Sequence, residues 1–175
     1  SIRFWDSLSE DMRPLTAFGR GFGGAKIMDL CYFADRLVKP YQPRAVVVYI
    51  GGNDFSDLVG NRVKSLQEGR TLYRMLIERL KLAAPGKPIY LLALRPKPDN
   101  AALDDSIADV NAFLANEAAT DTLLHYLDAN EVFFDAAGQM DRQFISWDTI
   151  HLNQRGYDVW GAAIRQRLQA DLATQ

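Results

Sequence analysis

Short apolar runs alternate along the chain with longer stretches in which apolar and polar residues recur at helical spacing. The clearest run is Ala45 to Ile50 (AVVVYI), whose continuous β-branched character is typical of a strand buried on both faces. Pro88 to Leu94 (PIYLLAL) and Leu123 to Leu127 (LLHYL) have a similar character. The pattern therefore predicts a strand in each of these three runs.

Four amphipathic stretches accompany these runs, with apolar residues three and four positions apart. The last of them follows Asn153, a residue type that often caps the first turn of a helix. Strands that alternate with helices imply right-handed crossovers and a parallel sheet covered by helices on both faces. We therefore predict one α/β domain over residues 1–175, built as three α/β/α layers. The apolar positions that define the helices are Ile27, Leu30, Cys31, Ala34 and Leu37; Leu72, Met75, Leu76 and Leu80; Ile107, Val110 and Leu114; and Trp160, Ile164, Leu168 and Leu172.

The composition narrows the class of protein. The 175 residues are 48% hydrophobic and carry a net charge of −2, with basic residues scattered along the chain, which does not suggest a nucleic-acid-binding protein. No apolar run approaches the ~20 residues of a membrane span. Because Cys31 is the only cysteine, an intrachain disulfide or a cysteine-based metal cluster is excluded. We expect a soluble protein without metal or cofactor, in the cytoplasm or, behind an upstream signal peptide, in the periplasm or secreted.

Three segments fall in loops that leave the carboxyl ends of predicted strands, where α/β sheets place their sites. Gly21 to Gly24 follows a short strand predicted near Ala17, and Gly51 to Asp54 follows the AVVVYI run. The third segment extends from Trp147 to Leu152. Candidate chemistry is therefore expected in these segments.

The third segment contains Asp148 and, three residues later, His151, one of two histidines in the chain. A carboxylate at this spacing can hold the Nδ1 atom of the ring and leave Nε2 free to take a proton. The alternative is a surface aspartate beside a helix-capping histidine. His125 lies in an apolar run without a carboxylate at comparable spacing, so we predict a structural role for it.

The two glycine segments suggest donors for an anionic oxygen. The amide of Asn53 follows glycines that let the backbone turn sharply, and Gly24 lies before a predicted helix, where backbone N–H groups are free. Each segment alone is also compatible with an ordinary turn. A phosphate loop is not matched, because neither G-K-[ST] nor G-x-G-x-x-G is present.

Taken together and in this order, the three segments resemble the SGNH hydrolase family of GDSL-like lipases and esterases. Arg20 to Gly24 resembles the family's glycine block, Gly51 to Asp54 its G-x-N-D block, and Asp148 to His151 its D-x-x-H block. The resemblance implies a flavodoxin-like parallel sheet. It also implies a serine esterase with a Ser-His-Asp triad for small-molecule carboxylic esters, especially those with short acyl groups.

The resemblance assigns the site residues as follows. Asp148 and His151 are the acid and base of the triad, the Gly24 N–H and the Asn53 amide are oxyanion donors, and Asp54 supports the loop that holds Asn53. No metal or cofactor is implied.

The nucleophile is the open assignment. The family's first block, G-D-S-[LI] or G-S-S-S-I-x-x-W, directly follows its first strand, and Ser1 to Trp5 (SIRFW) resembles the tail of that block. Alignment on Trp5 places the nucleophile one residue before Ser1, which we favour, whereas a slip of one residue makes Ser1 itself the nucleophile. We reject Ser7, because the four residues before Trp5 are too few for a buried strand and a turn.

A further expectation follows from the first block. In the family the first strand is central in the sheet, so we expect the natural protein to extend beyond Ser1 at its amino end.

The alternatives to an esterase are a non-catalytic α/β binding module or inactive fragment, and a flavodoxin-like nucleotide or flavin binder. Only the esterase makes His151 indispensable.

Overall fold

The predicted alternation of strands and helices is confirmed in the computed structural model, which describes residues 1–56, 64–96, 101–135 and 139–173, without the side chains of 101–105. The strands are β1 (Val46–Val48), β2 (Ile89–Leu92) and β3 (Leu124–Leu127). The helices are α1 (Leu8–Asp11), α2 (Ile27–Val38), α3 (Leu66–Ala83), α4 (Ala101–Ala119) and α5 (Gln154–Ala173).

The described strands form one sheet in the order β1-β2-β3. Strands β1 and β2 are parallel, with Val46 opposite Ile89 and Val48 opposite Leu91. Helices flank the sheet, so the α/β class expected from the sequence is confirmed. Among the described residues, no helix has both the length and the apolar character needed to cross a bilayer.

The described backbone divides into two compact units. The middle unit comprises the described residues of Gly24–Pro96 and Ala102–Tyr126. The terminal unit comprises Ser1–Gly23 and the described residues of Lys97–Ala101 and Leu127–Gln175. The middle unit contains β1, β2, α2, α3 and nearly all of α4 and β3. The terminal unit contains α1 and α5.

The core of the middle unit follows the apolar pattern of the sequence. All four residues of β2 are buried, as expected for a strand covered on both faces. Helix α2 buries Ile27 and Cys31, and α3 packs against it and buries Leu76. Ser65 caps α3 through a reciprocal pair of hydrogen bonds with Glu68, which fixes where that helix begins.

Strand β1 differs from the prediction for the AVVVYI run. It is three residues long, and Val47 is 39% exposed, so the run is not buried on both faces. Within the described sheet β1 is an edge strand that pairs with β2.

The prediction of a strand near Ala17 is wrong. Residues 16–20 are not in a strand, and all of them except Ala17 are exposed. A strand needs a neighbouring strand to pair its backbone groups, and this polar, glycine-containing segment has too few apolar side chains to be buried against one.

The core of the terminal unit is built around Trp5. Its ring stacks on Tyr157 and Trp160 of α5 at centroid distances of 5.3 and 5.4 Å. Its indole N–H donates to Asp11 (2.6 Å). A Cβ atom at position 161 would lie 2.7 Å from the Trp5 ring, so Gly161 permits this close packing. The amino-terminal segment is thereby fixed against α5.

Candidate active site

His151 lies in a short closed hairpin of the terminal unit, directly before the bridge residue Leu152. Ile145 and Leu152 form an antiparallel bridge. The Ser146 N–H donates to the His151 carbonyl (2.8 Å), and the N–H of residue 153 donates to the Phe144 carbonyl (3.0 Å). These two hydrogen bonds lie on either side of the bridge. They fix the backbone of the segment that contains His151 against the opposite arm of the hairpin.

The side chain of Asp148 is held by three hydrogen bonds. Its Oδ1 atom accepts from the backbone N–H groups of Ile150 (3.0 Å) and His151 (2.9 Å), and its Oδ2 atom lies 2.5 Å from Nδ1 of the His151 ring. Since an ionised carboxylate only accepts, we assign a proton to Nδ1 of the ring. The pair therefore leaves Nε2 as the nitrogen that can take a proton.

The electrostatics keep Asp148 ionised. Partial burial alone would raise the pKa of its carboxyl group, but the hydrogen bonds from the His151 backbone, the His151 ring and the Ile150 N–H lower that pKa to about 2. A carboxylate that stays charged at neutral pH stabilises the imidazolium formed when His151 accepts a proton.

Thr149, between these two residues, has a positive φ of 60°. A β-branched residue rarely adopts this conformation, and the cost in backbone energy is on the order of 1–2 kcal/mol. The turn that brings Asp148 onto His151 is therefore strained, and the hydrogen bonds of the hairpin maintain it.

The amino-terminal segment contacts His151 through Phe4. The two rings meet edge to face, with centroids 4.8 Å apart, and Phe4 is 51% exposed. The carbonyl of Ser1 accepts from the Phe4 N–H (3.0 Å) and from the Tyr157 hydroxyl (2.7 Å). The segment that begins at Ser1 is thus fixed in the same unit as the Asp148–His151 pair.

Ser7 has other partners. It lies directly before α1, where its hydroxyl donates to Asp11 (2.6 Å) and accepts from the side-chain amide of Gln154 (2.8 Å). Its proton is therefore directed at a carboxylate rather than at a histidine.

Gly21 serves close packing, which the sequence did not indicate, whereas Gly23 lies against the flexible end of the Arg3 side chain. A Cβ atom at Gly21 would lie 2.7 Å from the Cβ of Ile2 and 2.8 Å from the backbone nitrogen of Arg3. One at Gly23 would lie 2.8 Å from the Arg3 guanidinium. The glycine segment therefore lies directly against the residues that follow Ser1, and the glycine pattern alone could not identify this neighbour.

The candidate oxyanion residues lie in the middle unit. Gly24 has a φ of 69°, and α2 begins three residues after it. The Asn53 side-chain amide donates to the Ala25 carbonyl (3.0 Å), and the Ile27 N–H donates to Oδ2 of Asp54 (3.1 Å). Two hydrogen bonds thus join the Gly51–Asp54 loop to the segment that follows Gly24. An asparagine amide carries two hydrogens, and the bond to Ala25 uses one of them.

Asp54 is 1% exposed, and its Oδ1 atom has no hydrogen-bond partner among the described residues. Burial raises the pKa of its carboxyl group, although the Ile27 N–H and the charges of Lys64 and Lys26 oppose the rise. Its Oδ2 atom accepts from the first N–H of α2, a group that has no partner within the helix.

Tyr73 is a residue of this loop's surroundings that the sequence did not reveal. Its buried hydroxyl donates to the Ile50 carbonyl (2.5 Å), directly before the Gly51–Asp54 loop. Burial also raises the pKa of this hydroxyl well above its usual value. The apolar positions that predicted α3 include Leu72 and Leu76 but not Tyr73, so nothing in that pattern marks Tyr73 as a residue that holds a loop.

The aromatic residues that flank His151 in sequence have different surroundings. Trp147 is 94% exposed, whereas Tyr157 is buried and stacks on Trp5. Among the described residues, no cluster of three or more histidine, cysteine, aspartate or glutamate side chains has a metal-binding arrangement.

The sequence of the chain matches the GDSL-like Lipase/Acylhydrolase family over residues 3–159. No curated protein matches it. Several solved structures share its fold, and at their identities to this chain the likeness establishes the fold alone.

A structure from Streptococcus pneumonia, named for platelet activating factor, has a TM-score of 0.81 at 19% identity over 95% of this chain and 79% of that chain. LAE5, an alpha/beta hydrolase enzyme from the metagenome of Lake Arreo, Spain, has a TM-score of 0.74 at 20% identity over 96% and 80% of the two chains. A family 3 carbohydrate esterase from Clostridium thermocellum has a TM-score of 0.68 at 22% identity over 88% and 70%.

Proposed function

The chain belongs to the GDSL-like Lipase/Acylhydrolase family, and from that premise we propose that it is a serine esterase that cleaves carboxylic esters through an acyl-enzyme. The observation that carries the proposal is the Asp148–His151 pair. Its Nδ1–Oδ2 distance is 2.5 Å, and the pKa of the carboxyl group is about 2. A charged, immobilised carboxylate beside a histidine is the arrangement that favours general-base catalysis.

In the proposed mechanism, Nε2 of His151 removes the proton of a serine hydroxyl, and the serine oxygen bonds to the ester carbonyl carbon. The resulting imidazolium is stabilised by Asp148. His151 then returns the proton to the departing alcohol as the ester C–O bond breaks, which leaves an acyl-serine. A water molecule, deprotonated in turn by His151, releases the acid and restores the serine.

The proposed nucleophile is the residue directly before Ser1, with Ser1 as the alternative. Support comes from the resemblance of Ser1 to Trp5 to the family's first block. The edge-to-face contact between Phe4 and the His151 ring also favours a nucleophile at this end of the chain.

The proposed oxyanion donors are the Gly24 N–H, the Asn53 amide and the backbone N–H of the nucleophile. The hydrogen bond from Asn53 to the Ala25 carbonyl supports this assignment, because it ties the amide to the backbone next to Gly24. Asp54 has the supporting role, through its bond to the start of α2. Losing one oxyanion donor typically costs about 10²–10³ in kcat.

The proposed substrates are small esters with short acyl groups. The sequence has no long insertion between the site segments that would build a lid or a deep acyl tunnel. Acetylated sugars belong in the first panel of substrates, because a structure of similar fold is a family 3 carbohydrate esterase.

The proposal is tested with p-nitrophenyl esters of increasing acyl length and with acetylated sugars, using this chain and an amino-terminally extended form. We expect hydrolysis to fall with acyl length, to be lost in His151→Ala, and to fall by about 10²–10³ in Asn53→Ala. His125→Gln is the matched control, because this histidine stacks on Tyr90 within the sheet. If His151→Ala hydrolyses the esters as fast as His125→Gln, the proposed triad is wrong. If neither this chain nor the extended form hydrolyses any of the esters, a binding module takes the place of the esterase.

A further inference from the structure

The side chain of Asn153 makes three hydrogen bonds at the base of the hairpin that presents His151. Its Nδ2 group donates to the carbonyls of Gln143 (2.8 Å) and Ile145 (3.2 Å). Its Oδ1 atom accepts from the N–H of Gly156 in the first turn of α5 (3.0 Å). One amide thus joins the segment before the hairpin to the helix that follows it.

We propose that Asn153 is a positioning residue for His151, acting by fixing the base of the hairpin; the catalytic part of this inference rests on the esterase function proposed above. Asn153 stands two residues after His151, and its backbone N–H also donates to the Phe144 carbonyl (3.0 Å). With these bonds in place, the short loop that holds the ring against Asp148 has both of its ends fixed.

The packing at Gly156 supports this role independently. A Cβ atom at that position would lie 2.4 Å from the Phe144 carbonyl oxygen and 3.0 Å from the Cβ of Leu152. The first turn of α5 is therefore in direct contact with the base of the hairpin. The contact is at Gly156, whose N–H donates to the Asn153 side chain. A displacement of either element would be transmitted to His151 within a few residues.

The competing explanation is that Asn153 is only a helix cap. Serine caps helices about as well as asparagine, but its shorter side chain does not reach two carbonyls in addition to the cap. Asn153→Ser therefore removes the link to Gln143 and Ile145 and keeps the cap, without a change of charge. Ser65→Ala is the matched control, because it removes a cap bond (Ser65 Oγ from the Glu68 N–H, 3.2 Å) from α3.

The experiment combines kinetics with ¹⁵N NMR of the histidine rings at alkaline pH, where a neutral ring reports which nitrogen carries the proton. The chain has two histidines, so His125 serves as an internal reference in each spectrum. In the unmodified protein we expect the Nδ1–H tautomer of His151, because Asp148 accepts from Nδ1. In Asn153→Ser we expect a shift toward the Nε2–H tautomer and a kcat lowered about 10- to 100-fold with little change in KM.

The controls separate the two explanations. Ser65→Ala is expected to lower Tm by about 2–4 °C and to leave the His151 tautomer and kcat unchanged. The kinetics are measured on the amino-terminally extended form, which contains both candidate nucleophiles. A tautomer shift in Asn153→Ser without ester hydrolysis by the unmodified extended form would support the positioning role and contradict the esterase. If the His151 tautomer in Asn153→Ser equals that of the unmodified protein, Asn153 is a cap alone and the inference is wrong.

Discussion

The substitution Gly51→Ala tests how the Gly51–Asp54 loop is held in place. Gly51 has a φ of 122°, in a region that side chains other than glycine rarely adopt. A Cβ atom there would lie 2.2 Å from the Tyr73 hydroxyl oxygen and 3.3 Å from a methyl carbon of Leu94. That hydroxyl is buried and bonded to the Ile50 carbonyl, so it has little space into which it could move.

The expected cost follows from three effects. Forcing alanine into this backbone conformation costs about 1–3 kcal/mol, and overpacking a filled core costs about 1–3 kcal/mol more. Displacement of the Tyr73 hydroxyl would leave the buried Ile50 carbonyl without its donor, at about 1–3 kcal/mol. Because these effects overlap, we expect Gly51→Ala to lower the free energy of unfolding by about 3–5 kcal/mol.

Two further variants make the test specific. A Cβ atom at Gly52 would meet nothing within 4 Å, so Gly52→Ala should change stability by less than about 0.5 kcal/mol. Tyr73→Phe removes the atom that clashes, so Gly51→Ala should cost about 1 kcal/mol less in that background than in the unmodified protein.

The assay is urea denaturation followed by far-UV circular dichroism, with midpoint and m-value determined for the three single variants and the double variant. Equal stability of Gly51→Ala and Gly52→Ala would show that neither backbone conformation nor packing restricts position 51. Full additivity of Gly51→Ala and Tyr73→Phe would show that the Tyr73 hydroxyl is not the obstacle.

Three further predictions concern charge and backbone strain. The pKa of Asp148 is about 2 instead of the usual 3.8, so its ionised form contributes about 1–2 kcal/mol to the free energy of unfolding after allowance for solvent screening. This contribution is present above about pH 4 and is lost as the pH falls toward 2. Asp148→Asn should therefore lack this part of the dependence of stability on pH. The pKa of Asp54 is raised in the folded protein, so its contribution to stability falls as the pH rises from its unfolded pKa through its folded pKa. Urea titrations over that pH interval should show Asp54→Asn becoming more stable relative to the unmodified protein. Thr149 has a φ of 60°, a conformation that asparagine tolerates, so Thr149→Asn should raise the free energy of unfolding by about 0.5–1 kcal/mol, and an equal or lower Tm would contradict the strain.

The parts of the fold that the sequence predicted are those set by local periodicity. Strand β2 and the long helices α2, α3, α4 and α5 lie where apolar spacing placed them. The buried face of α3 differs in part from the predicted one, because Tyr73 and Ile77 are buried and Met75 is exposed. The strand near Ala17 failed, since a strand depends on a partner that a local pattern does not contain. The extent of β1 was overestimated for the same reason. That the whole chain forms one domain stays a prediction.

The site shows a similar division. Asp148 and His151 are three residues apart, so a short turn is enough to bring them together, and the sequence identified the pair. Tyr73 meets Ile50 across 23 residues, and no local signal marks it. The assignments of Gly24, Asn53 and Asp54 as oxyanion and support residues remain predictions from the family resemblance.

Whether His151 activates a serine can be measured by labelling with a fluorophosphonate, which reacts with activated serines, followed by mapping of the labelled peptide. It is made on this chain and on an amino-terminally extended form, each with and without His151→Ala. We expect labelling at the serine directly before Ser1, or at Ser1 itself, and loss of the label in His151→Ala. A label at Ser7, or no label in either form when both are folded, would contradict the account.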